Sequence, residues 1–355
     1  MQAQDVDGLV GRFNTMSLTE PTLTLNAHTD DIHGLLNISP GIFASGSKDT
    51  TVKLWNIREK NKNTLTVDYE KLGYQYWVTA LAKVNDKCFA RGTRAGHITI
   101  WDLDGKELNS FAYTPSKASK NETHAKERNK QRINVIAQNT FGDPNTFFTG
   151  TPKYLQQWDA TTGKMCKSWK AHENDWVYCI EPLSPDKMIV VTGSQMDIWD
   201  NIYAKRVLTS PLIAEKRQAK QRPHISAIVR FESNPDLLGC ALFDTTVRVV
   251  DMQKQEVVCI YKEHNPKRIE GKDRVWSVIE LQPNVVASCA DDATIKIWDL
   301  RAKKSVMTIG GNPGRVSCLL KINPNQFLSA SCPDNVFESK EKATISFWDM
   351  AMQPK

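Results

Sequence analysis

The residues of this 355-residue chain best suited to chemistry or ligand capture are its ten tryptophans, eight cysteines and seven histidines. Their spacing does not build a catalytic site. No GxSxG nucleophile elbow, no GxxxxGK[ST] phosphate loop and no HExxH metal helix occurs in the chain. Gly310-Gly311-Asn312-Pro313-Gly314 is glycine-rich, yet it lacks the lysine and the following helix that cradle phosphate. Its Gly and Pro content reads as a turn. The histidines have no metal-ligand spacing and no CxxC pairs two cysteines, so no metal or other cofactor is implied. Most cysteines sit in apolar runs such as Val177-Tyr178-Cys179-Ile180, where a reduced thiol packs as a small hydrophobe. That usage points to a reducing compartment, cytoplasmic or nuclear. Asp49, Asp244 and Asp292 stand in tight polar turns and read as turn anchors, not acids or bases. Binding is the chemistry left.

The tryptophans are regularly placed. Trp101-Asp102, Trp158-Asp159, Trp199-Asp200, Trp298-Asp299 and Trp348-Asp349 each end an apolar, β-branched run, with variants at Trp55-Asn56 and Val250-Asp251. From Trp55 to Trp348 the mean interval is about 49 residues, near the roughly 40–50 residue period of propeller-type repeats. A repeated β unit cannot bury both of its own faces and must stack on copies of itself. The clearest unit runs through Ile32–Leu36, Ile42–Ser47, Thr51–Trp55 and Thr64–Val67, with apolar alternation bounded by Gly, Asp and Asn and no helical period. Further first strands are expected near Val78–Leu81, Ile133–Ile136, Val177–Ile180, Ile225–Ile228, Val275–Val278 and Val316–Leu319, giving seven units. The composition, 40% hydrophobic and 24% charged with a formal net charge of +6, is that of an ordinary, mildly basic globular chain. The N-terminus carries Asp5 and Asp7 without a cationic start or long apolar stretch, which argues against a secretory signal. No run approaches the roughly 18 apolar residues that would span a bilayer.

Period, strand order and the Trp-Asp pairs together resemble the WD-repeat (WD40) family over nearly the whole chain. The resemblance implies an all-β, seven-bladed propeller of four-stranded antiparallel blades, acting as a single domain over 1–355 and as a monomer. It also implies that residues 21–25, after a tail at 1–17, close the ring by supplying the outer strand of the last blade. Closure would remove exposed sheet edges. His28, Asp49, Trp55 and a serine (Ser45 or Ser47) match the family's buried hydrogen-bonded network, and His172 falls where the family places a structural histidine. Ala95 replaces the turn Asp in the second unit, and the third and fourth have shortened turns at Pro152-Lys153 and Gln195-Met196. The third and fourth blades are therefore expected to be less tightly tied.

In this fold the long insertions at 113–131, 211–223, 261–273 and 332–343 would emerge on one face, and the first three are rich in Lys and Arg. The residues before the apolar openers are Asp31, Trp77, Arg132, Trp176, His224, Arg274 and Arg315. Those after are His33, Thr79, Asn134, Tyr178, Ser226, Trp276 and Ser317. Lys48, Arg94, Phe243 and Asp291 precede the tight-turn position. Such positions are expected to face solvent, yet they hold Trp, Tyr and Arg, the types that dominate binding hot spots at about 2 kcal/mol or more each. The expectation is a platform of Trp77, Arg94, Arg132, Trp176, Tyr178, Phe243, Arg274, Trp276 and Arg315 that captures a protein or peptide bearing acidic or phosphorylated residues. The plain alternative packs these tryptophans beneath the overhanging insertions. Trp298-Asp299-Leu300-Arg301 resembles the WDxR box of cullin-ligase substrate receptors, with Arg301 toward the adaptor. RNA or another anion bound by the basic loops is a further alternative, with steep salt dependence. An enzyme built on Asp31, His33 and His224 at the channel mouth has no fixed geometry behind it.

Overall fold

The computed structural model describes residues 20–57, 63–67, 76–112, 131–171, 175–193, 195–200, 205–210, 224–264, 274–302, 304–333 and 342–351. The tail at 1–17, His172 and most of the four long insertions lie outside the described residues. Two compact units are formed, Ile32–Lys216 and Met1–Asp31 with Arg217–Lys355. The first holds four four-stranded sheets and the second holds three. Together with the comparison given below, this is the seven-bladed propeller expected from the repeats.

Each sheet in the first unit is a meander in chain order, as in Ile32–Ser39, Ile42–Ser47, Val52–Asn56 and Asn63–Val67. The last sheet of the second unit departs from this. Its fourth strand is Leu23–His28, which pairs antiparallel with Ala343–Asp349 through Leu23↔Phe347 and Leu25↔Ile345. The closing strand expected at 21–25 is thus seated, two residues further on. Gln195 and Met196, read as a turn, instead begin the strand Gln195–Asp200. The turn falls at Gly193, whose φ of 54° suits a residue without a Cβ.

The repeated tryptophans pack between neighbouring sheets of the same unit. Trp101 shares a buried cluster with Ala44, Val52 and Leu54 of the preceding sheet, Trp158 with Ile98 and Ile100, and Trp348 with Ile295 and Ile297. Pairing to the outer strand slips just before six of the seven anchors, at Leu54/Trp55, Ile100/Trp101, Gln157/Trp158, Ile198/Trp199, Val249/Val250 and Ile297/Trp298. A bulge of this kind raises the local twist. Val250 takes the same place as the tryptophans, which confirms it as the anchor of its repeat.

Inside the sheets a hydroxyl holds the indole. Trp55, Trp298 and Trp348 each donate Nε1–H to Ser45, Ser288 and Ser329 at 2.8 Å, and Trp158 donates to Thr149 at 2.9 Å. The third sheet is therefore tied like the first, sixth and seventh, contrary to expectation. The fourth has Val190 at this position, opposite Asp197, and has no such hydroxyl. In the second, Arg91 replaces the serine and lies 5.2 Å from the Trp101 ring. The sixth sheet adds a histidine and a carboxylate to the hydroxyl. There His264 joins Ser288 at 2.7 Å and Asp292 at 2.9 Å, while Asp292 accepts from Thr294.

Candidate functional site

Close sheet packing sets the site residues. A Cβ on Gly46, Gly92 or Gly150 would lie 2.5 Å from Val78, Ile133 or Val177, the openers of the next sheets. Only glycine admits those openers so closely. Val78, Ile133 and Val177 are fully buried. The residues flanking each opener stand where the first strand begins, and pairing with the second strand slips just past Val78 and Val177. Trp77 and Thr79, Arg132 and Asn134, and Trp176 and Tyr178 are placed in this way. A main-chain bond then brings the tight turn alongside: Arg94 N–H donates to the Trp77 carbonyl at 3.1 Å.

In the unit Ile32–Lys216 the Arg94 guanidinium lies 5.1 Å from the Trp77 ring centre, and Lys48 Nζ approaches the same ring at 5.0 Å. Arg132 stacks 5.5 Å from Trp176, which itself stacks on Tyr178 at 6.4 Å. All six side chains are half-buried. Burial, and after it the positive charge of Arg94, push the Arg132 pKa down to about 10, with Tyr178 pulling the other way. Arg132 Nε and both amide atoms of Asn134 are buried without a hydrogen-bond partner.

The other unit repeats the geometry with different company. Phe243 N–H donates to the His224 carbonyl, and Asp291 N–H to the Arg274 carbonyl. The Arg274 guanidinium covers Phe243 at 4.5 Å and Trp276 at 5.4 Å, and Phe243 also stacks on His224 at 5.9 Å. Asp291 is buried beneath them and accepts Trp276 Nε1–H at 2.7 Å and the Arg274 backbone N–H at 3.2 Å. Arg315 is ion-paired with buried Asp31. Burial alone would lower the Arg315 pKa, but the Asp31 carboxylate raises it above its ordinary value.

Three ring positions expected to face solvent are buried instead. Asp31 is drawn in by Arg315, Asp291 by the Trp276 indole, and Thr79 by a hydrogen bond to the Ile133 carbonyl. Of the expected platform arginines, Arg274 is exposed, while Arg94, Arg132 and Arg315 are half-buried. Each unit brings its own members together.

The family of WD domain, G-beta repeats matches residues 19–56, 163–201 and 258–299. A solved WD40 β-propeller domain, that of Doa1, superposes with a TM-score of 0.67 over 93% of this chain and 96% of its own, at 16% identity. The chain carries WD repeats on a WD40 β-propeller fold. Among curated relatives, a "p21-activated protein kinase-interacting protein 1-like" of Danio rerio is 23% identical over 311 residues, covering 86% of this chain and 74% of that protein. "Nuclear distribution protein PAC1" of Coccidioides posadasii is 26% identical, covering 78% of this chain and 59% of its own.

Arg301 of the WDxR-like stretch folds back on its own repeat, with Nε and Nη2 2.9 and 2.7 Å from the two Asp299 oxygens. This fork holds the Asp299 carboxyl below its ordinary pKa. Sequence reasoning missed Asn134 as a candidate ligand group and His264 as a structural histidine. His28 precedes Ile32 by four residues, whereas His264 precedes Val275 by eleven. The insertion hid that spacing. The WD-repeat register, counted back from Val275 past the basic run, was the only available signal.

Proposed function

We propose that this WD-repeat protein is a non-enzymatic scaffold that captures a protein partner through its arginine-stacked tryptophans. The WD40 propeller is in general a protein-interaction scaffold. One observation carries the finer reading: at three first-strand starts a half-buried tryptophan has a guanidinium 5.1–5.5 Å from its ring. A flat aromatic face with a fixed planar cation beside it suits an extended segment bearing carboxylate or phosphate groups. The name of the Danio rerio relative, an interacting protein of a kinase, agrees with a role in holding a partner.

The test is quantitative capture from cell lysate by the full chain and by Trp77→Ala with Trp176→Ala. The paired substitution is expected to lose the captured proteins while keeping a cooperative melt. Undiminished capture would overturn the reading. Capture that survives ribonuclease and falls only gently with salt separates a protein partner from RNA, whose affinity drops steeply as salt rises.

A further inference from the structure

Arg132 Nε, Asn134 Nδ2 and Asn134 Oδ1 are three buried polar atoms without partners within three residues of chain. Buried polar groups are nearly always satisfied, so a cluster of orphans marks a site for water, an ion or a ligand. The neighbourhood selects among these. Arg132 and Asn134 flank the buried opener Ile133. Ile133 N–H donates to the Thr93 carbonyl at 3.1 Å, which brings the backbone of the Arg94 turn alongside Arg132; the Arg94 charge acts on Arg132, and Lys48 and Arg94 share the Trp77 ring. Among the described residues no ion pair neutralises Arg132. Burial first, and the like charge of Arg94 second, depress the Arg132 pKa, so the charge is costly where it stands. A water would satisfy the amide but leave the charge in place.

An anion would serve both. A carboxylate brings one negative charge, whereas a phosphomonoester brings about −1.5 to −2 at neutral pH and three acceptor oxygens. We infer that Arg94, Arg132 and Asn134 form a cradle for a phosphomonoester dianion, carried by a phosphorylated side chain of the partner. This rests on the scaffold reading above and narrows its ligand to one group in one unit.

Phenyl phosphate, benzoate, dimethyl phosphate and inorganic phosphate serve as probes in thermal-shift and calorimetric titrations of the full chain at constant ionic strength. Phenyl phosphate is expected to bind and raise the melting temperature. Benzoate and dimethyl phosphate, each a monoanion, should bind at least about tenfold more weakly. Protonation near pH 6 should weaken phenyl phosphate as the dianion is lost. Arg132→Met and, separately, Asn134→Leu should reduce its affinity by about 10–100-fold, the loss of one charge-assisted hydrogen bond. Two variants guard against misfolding, and each is first checked for an unliganded melt no lower than the wild type. Equal binding of all four probes, or phenyl phosphate binding unchanged in both variants, overturns the cradle.

The source of the phosphate is read in two further arms. Phosphatase treatment of the lysate should abolish partner capture. Inorganic phosphate binding more tightly than a phosphoserine peptide would overturn the protein source and indicate a small phosphate instead. Should capture need Trp77 and Trp176 while phenyl phosphate fails to bind, the cradle falls and the scaffold stands. Should phenyl phosphate bind while capture ignores those tryptophans, the scaffold reading falls.

Discussion

The unit Ile32–Lys216 and its companion place the same residue types at the same repeat positions, yet they balance charge in opposite ways. In the companion the cations and indoles meet buried carboxylates: Arg315 meets Asp31, and Trp276 meets Asp291. In Ile32–Lys216, Arg132 lies under the like charge of Arg94, two residues along the chain from the unsatisfied Asn134 amide. An arginine on an aromatic ring is therefore the stronger binding signal where no carboxylate of the fold already meets it. What distinguishes a structural arginine from one poised for a ligand is whether the fold has already supplied its counter-charge.

Removing the internal counter-charge should break this contrast most visibly. Asp31→Asn would leave the partly buried Arg315 guanidinium without its ion pair. Deleting one partner of a fully buried pair costs about 3–5 kcal/mol, and Arg315 keeps some solvent access, so about 2–3 kcal/mol is expected. Denaturant unfolding of wild type and variant measures it. A loss below about 0.5 kcal/mol would mean that Arg315 is as ready for a ligand as Arg132.

Acid should act on the carboxylate-rich unit through Asp292. Burial raises this carboxyl, but hydrogen bonds from His264 and Thr294 outweigh it and hold the pKa below its ordinary value. A folded pKa below the unfolded value gives stability that is present above about pH 4 and lost as pH falls through the lower folded value. Asp292→Asn should cost about 1–2 kcal/mol between pH 5 and 7, with the gap closing toward pH 3. Hydrogen exchange at the Thr294 amide, which donates to Asp292 at 3.0 Å, reports this locally. A gap that stays constant into acid would exclude the carboxylate as the source.

Arg132 should behave in the reverse sense. Its folded pKa of about 10 lies below that of the free side chain, so the charge opposes folding at every pH below that value and the penalty lifts only as pH rises above it. Replacing an uncompensated buried cation with an apolar side chain of similar length removes that cost. Arg132→Met is expected to stabilise the unliganded chain by about 1 kcal/mol. A destabilised variant would show that Arg132 already has its partner within the fold.

The repeats were readable because their signals are local. Trp-Asp, the apolar openers and the turn carboxylates each follow from a few adjacent residues, and Ile42–Ser47 was placed to the residue. The ring positions follow the same local rule less faithfully, since Asp31 and Thr79 flank buried openers and are themselves buried. Charge balance was not legible. Asp31 and Arg315 are 284 residues apart, and Asp291 and Trp276 are 15 apart. No spacing rule links such pairs before the sheets stack. Asn134 escaped notice for a related reason: an asparagine becomes informative only once its surroundings fail to satisfy it.

The smallest effect bears on whether the aromatic half of the cradle is already set without a ligand. Lys48 Nζ and the Arg94 guanidinium approach Trp77 at 5.0 and 5.1 Å, so the ring is shared by two cations. A half-exposed cation–π contact contributes about 0.5–1 kcal/mol. A double-mutant cycle of Lys48→Met and Trp77→Leu should return a coupling of about 0.5 kcal/mol, at the low end because Lys48 also stands near a like charge. Repeating the cycle with phenyl phosphate bound sharpens the comparison. If the dianion relieves that repulsion, the coupling should grow; if the cradle is empty by nature, it should stay as it was.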